Sequence, residues 1–256
     1  MSTTVSYKGS TIATVDNNIK TLLTSGKWME DDLILTDVSG GANTDLDEIL
    51  SNTYSGAYSN SVVTSLRNHA LRALTGLTGV SFPNVTFLGS SVFQDCTALV
   101  SANLPLANSS GNYTASLFQG CTHLSAIALP SWTVSFYSQC FDTCSALTAF
   151  DSPCASFTGA NNFKNCANLK TLVLRKSSIC SLGNTSAFSG TPFASGGVGG
   201  DIYIPKALYD HLGDNSSSDY KKATNWAIIN GYGTITWHAI EGSYYETHYA
   251  DGTAIS

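Results

Sequence analysis

Between about Val63 and Phe193 one frame recurs. Phe93-Gln-Asp-Cys96-Thr-Ala-Leu99 is followed by Phe118-Gln-Gly-Cys121-Thr-His-Leu124, then Phe141-Asp-Thr-Cys144-Ser-Ala-Leu147 and Phe163-Lys-Asn-Cys166-Ala-Asn-Leu169. The steps between successive cysteines are 25, 23 and 22 residues. A frame kept while its filler varies marks stacked repeats rather than a mixed globular core. The expectation is a mainly β (α+β) solenoid of parallel strands, with a small β module in front and a cap behind.

Leu71-Arg-Ala-Leu74-Thr-Gly-Leu77 opens the series with leucine in the Phe and Cys places, and Phe188, Thr191 and Ala194 close it without Cys or Leu. A short extended segment follows each frame: Val80–Pro83, Ala102–Pro105, Ile127–Pro130, Phe150–Pro153 and Leu172–Leu174. These alternate in and out with period two, and most stop at a proline. One such strand per repeat, in register, makes a parallel sheet. Its outward positions would be Ser81, Asn103, Ala128, Asp151, Val173 and Tyr203, while Ser152 stands where other repeats carry an inward leucine. A second extended piece is marked by an apolar residue five before the frame aromatic: Leu66, Leu88, Tyr113 and Phe136. Cys140 precedes Phe141 where other repeats have Ala70, Val92, Leu117 or Ala187, so it reads as packing. Each repeat would bury large side chains at roughly 1.5–3 kcal/mol apiece, enough to offset ordering entropy only when several stack.

The boundaries read as follows. Residues 1–38 form a small β module, with a hairpin around Lys8-Gly9-Ser10 and further short strands at Leu22-Leu23 and Leu33–Thr36. Residues 39–62 are a linker and capping helix (Asp45 to Leu50), 63–205 the solenoid, and 206–256 the C-terminal cap. In the cap, Ala207–Leu212 and Tyr220–Ile229 read as helices, Gly233–Ile240 as a strand, and Trp226 closes the last rung; Tyr244–Tyr249 is an aromatic tail.

Composition narrows the partners. Charged residues make up 12%, about half the usual share, so the surface is Ser, Thr, Asn and Gly. Net charge is −6 and no Lys/Arg run occurs, which argues against nucleic acid. No stretch suits membrane insertion, and the start lacks a signal-peptide pattern. The seven cysteines include no C-x-x-C pair and the five histidines no H-x-x-x-H, so no metal or cofactor is expected. The four frame cysteines read as a buried ladder of small apolar side chains. Gly196–Gly200 reads as a loose loop. Asp151 and Asp201 are the acids nearest the strand face, at a separation worth weighing for glycoside hydrolysis. The candidate ligand contacts are Trp132, Tyr113, Tyr137, Asn103, Asp151 and Tyr203, with Phe87 and Phe157 read as core.

Two resemblances add to this. The run from Tyr7 to Thr36 resembles a module at the front of phage and prophage structural proteins, which implies attachment to other virion proteins. The frame F-x-x-C-x-x-L-x-x-I-x-L-P resembles the BspA/treponemal leucine-rich repeats, and "YKKATNW" with "IEG" resembles that family's C-terminal cap. What these imply is binding without catalysis. The leading expectation is a tail-fibre or receptor-binding virion component recognising a host-surface protein or glycan, with homo-oligomerisation plausible. The alternatives are an adhesin-like protein of the bacterial surface and a polysaccharide-degrading tail spike.

Overall fold

The computed structural model describes residues 55–59, 65–66, 68–107, 112–113, 115–129, 135–152 and 156–240, and the strand backbones at 3–7, 10–15 and 33–36. At the front, β1 (Thr3–Tyr7), β2 (Ser10–Val15) and β3 (Leu33–Thr36) form an antiparallel sheet in the order β2-β1-β3. β1 and β2 make the expected hairpin, Tyr7 opposite Ser10. The Leu22-Leu23 strand, the helix at 45–50 and the tail after Ile240 lie outside the described residues.

The chain then alternates front strands with shorter side strands. In order they are β4 (Gly56–Ser59), β5 (Ser65–Leu66), β6 (Leu77–Ser81), β7 (Phe87–Leu88), β8 (Ser101–Asn103), β9 (Asn112–Tyr113) and β10 (Ala126–Ala128). There follow β11 (Ser135–Phe136), β12 (Ala149–Ser152), β13 (Ser156–Phe157), β14 (Thr171–Leu174), β15 (Ser181–Leu182), β16 (Gly200–Pro205) and β17 (Ile235–Ile240). Front strands pair in parallel as β4-β6-β8-β10 and as β12-β14-β16-β17. Side strands pair as β5-β7 and β9-β11-β13-β15. Parallel pairing of front strands thus begins at Gly56, before the repeat frame does, and extends to β17 in two sheets.

The frame itself builds a third ladder. The N–H of each frame's first residue donates to the next coil: Leu71 to Val92, Phe93 to Leu117, Phe118 to Cys140, Phe141 to Asn162, and Phe163 to Ala187, at 2.7–3.0 Å. A second donor lies two residues on, from Ala73, Asp95, Gly120, Thr143 and Asn165. Those five residues, with Gly190, have left-handed backbones, φ between 57° and 78°. His69, Ser91, Ser116, Gln139 and Asn161, two before the frame residue, are left-handed as well. The chain turns this way so that alternate N–H groups all point along the stack. At Gly120 (φ +78°) a Cβ would press on the Asp95 carboxylate, which would have to move aside.

Inside, the aromatic rings stack nearly parallel. Phe93–Phe118, Phe118–Phe141, Phe141–Phe163 and Phe163–Phe188 have centroid distances of 5.1, 5.8, 5.2 and 5.4 Å and interplanar angles of 6°, 13°, 5° and 11°. Leu99, Leu124, Leu147 and Leu169 are fully buried beside them. So are Leu66, Leu88, Phe136, Phe157 and Leu182 on the side strands. Phe87, one residue before Leu88, is 44% exposed, which corrects the core reading given to it. Because Leu88 pairs in register with Leu66 and faces in, period-two alternation turns Phe87 out.

The cap closes the last coil through its backbone. The Tyr220 hydroxyl accepts from the Cys180 N–H at 2.7 Å. The Trp226 indole donates to the Cys180 carbonyl at 2.7 Å, and the Asn225 amide donates to the Leu182 carbonyl at 2.7 Å. The expected helices are shorter than the sequence suggests: α1 spans Lys206–Tyr209 and α2 Trp226–Asn230. Asn225 has a left-handed backbone, φ 65°, which breaks the run from Tyr220. The Gly-rich stretch is open at Gly196 and Val198 but packed at its end. Gly199 (φ +84°) lies against the Thr234 backbone where a Cβ would collide, and Gly200 donates to the Thr234 carbonyl.

Candidate functional site: the strand face

The register defines an outward row across the front strands. Ser59, Ser81, Asn103 and Ala128 align on the first sheet, and Asp151, Val173, Tyr203 and His238 on the second. The residues between them in sequence face inward and are buried: Phe150, Leu172, Leu174, Ile202 and Ile204. The two halves differ in chemistry. The first carries small, uncharged groups, with the exposed Asn103 amide donating to the Ser81 hydroxyl at 3.1 Å. The second carries nearly all the charge and both rings.

In that second half Arg175 grips Asp151 with a two-point fork. Nε to Oδ1 is 2.6 Å and the second guanidinium nitrogen to Oδ2 is 2.8 Å. The two side chains are only 7% and 14% exposed. Arg175 stands at the strand end where the equivalent position on neighbouring strands is a proline, Pro153 and Pro205. Val173 is 3% exposed, so the expectation that it presents an open surface does not hold; its large neighbours in the row are Asp151 and Tyr203. The Tyr203 and His238 rings stack at 4.4 Å and 16°, and His238 Nε2 lies 2.8 Å from Asp201 Oδ1. His238 and Asp201 remain accessible, 35% and 46% exposed.

The two acids weighed for hydrolysis sit on β12 and β16, two strand spacings apart, or about 10 Å. Asp151 is taken by Arg175 and Asp201 by His238. Each carboxylate is committed to a partner on its own side of the face, and no substrate-sized pair of free acids results.

The thiols are equally uncommitted to chemistry. Each frame cysteine donates to the carbonyl of the previous frame's first residue: Cys96 to Leu71, Cys121 to Phe93, Cys144 to Phe118 and Cys166 to Phe141, at 3.0–3.2 Å. Burial pushes the Cys96, Cys140 and Cys166 thiols up to about 12 and drives Cys121 and Cys144 well above the ordinary thiol range. A thiolate nucleophile cannot form there at neutral pH. Among the described residues no group of three or more His, Cys, Asp or Glu is placed to hold a metal ion.

Of the other candidate contacts, Tyr137 is 46% exposed but follows the side strand β11, away from the front row. Tyr113 is on β9, where only the backbone is described, and Trp132 lies outside the described residues. The structure therefore brings Asp151 and Tyr203 onto one face, places Asn103 in the other half of the same row, and sets Tyr137 apart. Sequence reasoning missed Arg175 and His238. The signal for Arg175 was its place after the Leu172–Leu174 strand, where most of the other segments carry a proline.

A family description fits this geometry. A sequence model for the BspA type leucine rich repeat region matches residues 64–194 in six copies. The chain belongs to the BspA-type leucine-rich-repeat family. The six frames beginning at Leu71, Phe93, Phe118, Phe141, Phe163 and Phe188 fall within the matched span. Among solved structures, the chain is similar to a leucine-rich repeat protein from Bacteroides ovatus, with 21% identity and a TM-score of 0.41, over 69% of this chain and 46% of that one. It is also similar to a leucine rich cell surface protein from Faecalibacterium prausnitzii, with 17% identity and a TM-score of 0.43, over 82% of this chain and 52% of that one. The chain matches about half the length of each. No curated protein matches it.

Proposed function

We propose that this BspA-type repeat protein is a non-catalytic, adhesin-like interaction protein of a bacterial surface that uses its strand face to hold a host-surface protein or glycan. The observation that carries the reading is the asymmetry of that face. Its second half gathers Tyr203, His238, Asp201 and the Arg175–Asp151 fork, whereas the outward row of the first half is Ser59, Ser81, Asn103 and Ala128, all uncharged. Stacked rings with hydrogen-bonding edges supply contact area with a polar handle. The largely buried guanidinium–carboxylate fork fixes β12 against β14 and so keeps the face that carries those rings rigid. The partnered acids and protonated thiols support binding over catalysis.

Labelled protein applied to intact epithelial cells and to an array of host glycans tests this. Binding is expected, and it falls at least tenfold in the Tyr203→Ala/His238→Ala double variant. Undiminished binding by that variant removes the face from the proposal, and release of oligosaccharide from capsule by the purified chain replaces it with the tail-spike reading. Antibody labelling of producing cells against purified phage particles separates a bacterial surface from a virion. The virion reading rests on the resemblance of residues 7–36. The separate antiparallel sheet of β1, β2 and β3 is compatible with it as an attachment module to other virion proteins.

A further inference from the structure

The second half of the strand face carries two outward rows. Two residues before Asp151, Val173, Tyr203 and His238 stand Ala149, Thr171, Asp201 and Thr236, again in register. Asp201 on β16 thus has a threonine to either side, one strand spacing of about 4.8 Å away. Its Oδ1 lies 2.8 Å from His238 Nε2. A carboxylate only accepts, so the imidazole donates through Nε2. Asp201 Oδ2 and the hydroxyls of Thr171, Thr236 and Tyr203 have no partner among the described residues. The stacked Tyr203 and His238 rings stand beside them as a wall.

This patch suits hydroxyl groups better than apolar side chains. Protein interfaces are anchored by aromatic and aliphatic side chains buried at their centre. Among the described residues, no exposed large hydrophobic side chain lies on β12, β14, β16 or β17, and Val173 is 3% exposed. What stands open is an acceptor, Asp201 at 46%, flanked by hydroxyls. The strand spacing of about 4.8 Å is comparable with the span of one pyranose ring, so a sugar over β16 can meet Asp201 and a threonine together. The charges disfavour an anion. Arg175 is held by Asp151 and Lys206 by Asp210, which leaves Lys170, exposed just ahead of Thr171. A sialylated or sulfated ligand would set its own charge against the Asp201 carboxylate.

We propose that the ligand of this face is a neutral sugar with two adjacent free hydroxyl groups, taken by Asp201 Oδ2 and the Thr171 and Thr236 hydroxyls, its ring against Tyr203 and His238. The proposal rests on the strand face being the binding surface and adds the class of ligand. A sugar hydroxyl donating to the carboxylate makes a charge-assisted bond, stronger than a neutral one. The paired strands hold these groups in place before the ligand arrives, which lowers the cost of binding.

Albumin carrying terminal galactose, glucose or mannose is the probe, with sialylated and sulfated galactose carriers beside it. At least one neutral carrier is expected to bind ten or more times as tightly as either anionic one. Asp201→Asn and Asp201→Ala should each weaken that binding at least tenfold, while Lys170→Ala leaves it unchanged. Thr171→Val/Thr236→Val, which keeps the side-chain shapes, should weaken it as well and carries the test if the Asp201 variants do not fold. Preference for an anionic carrier, lost in Lys170→Ala, overturns the proposal, as does neutral-sugar binding that folded Asp201 variants retain. Intact epithelial cells separate this failure from that of the face itself. Cell binding that needs Tyr203 and His238 yet survives periodate, which cleaves between adjacent hydroxyls, means a protein partner: the face stands and the sugar falls. Cell binding undiminished in Tyr203→Ala/His238→Ala removes the face and the sugar with it.

Discussion

At the scale of single residues the frame cysteine explains itself once its donor is seen. The Phe93, Phe118 and Phe141 carbonyls each accept the N–H of their own frame's cysteine and the thiol of the next coil's. A thiol is small and apolar enough for a dry stack and is still a weak donor. In the last frame Thr191 takes the place and turns its hydroxyl to the Phe188 carbonyl of its own coil, at 2.7 Å, since no further cysteine follows. This chemistry makes stability depend on pH. The folded thiols of Cys96, Cys140 and Cys166 ionise near 12 against 9.0 when ordinary, so the unfolded chain loses its protons first. Their contribution is complete below pH 9 and is lost as pH rises from 9 toward 12. Urea midpoints at pH 8 and pH 10.5 should show the drop, and it should be shallower in Cys96→Ala/Cys166→Ala. Thr143 is the opposite case, a β-branched residue at φ 66° where neighbouring coils place Asp95, Gly120 and Asn165. Left-handed backbone costs side chains with a Cβ ~1–2 kcal/mol, and asparagine tolerates it better. Thr143→Asn should therefore stabilise by about 1 kcal/mol, raising the melting temperature by roughly 2–4 °C.

At the scale of elements, what could be read in advance was periodicity. The buried residues at Leu66, Leu88 and Phe136 were legible because side strands repeat a fixed distance before Phe or Leu, and the strand face was legible from alternation. The left-handed positions were half visible, in Gly120, Gly190, Asp95 and Asn165, but Ala73, Ser91 and Gln139 adopt the same backbone without any sequence sign. The split between β10 and β12 was not legible, because Ala126-Ile127-Ala128 alternates as well as any other strand. The Arg175–Asp151 fork joins residues 24 apart, a pairing that repeat spacing permits but does not announce. The cap was legible in Trp226, whereas the partner of Tyr220 was not. Removing that hydroxyl isolates a tests-worthy bond: Tyr220→Phe leaves the buried Cys180 N–H without its acceptor, an expected loss of about 1–3 kcal/mol. Hydrogen exchange should show faster opening of β15 and of the last turn, with β6 and β8 unchanged.

At the scale of the whole molecule, a stack in which each coil touches only its neighbours has stability that depends on where it is cut. Leu124 is fully buried in the coil of β10, between the coils whose leucines are Leu99 and Leu147. An aspartate at that place would bury an unpaired carboxyl in a dry core, and even neutralised by protonation it would leave its polar atoms unsatisfied and the leucine's packing against both neighbouring coils lost, a cost comparable with the ~5–15 kcal/mol of stability a domain commonly has. Leu124→Asp should therefore abolish folding, with loss of the far-ultraviolet β signal and of the cooperative melt. Trp226→Ala cuts the stack at its end instead. It should cost about 3–5 kcal/mol, as burial of a large ring implies, yet leave the coils of β6 to β10 protected from exchange. Equal loss of protection in every coil of Trp226→Ala would mean that the chain unfolds as one unit. The division of the front strands into two sheets, β4-β6-β8-β10 and β12-β14-β16-β17, argues for the graded outcome, because the cap belongs to the second and the coils of β6 to β10 to the first.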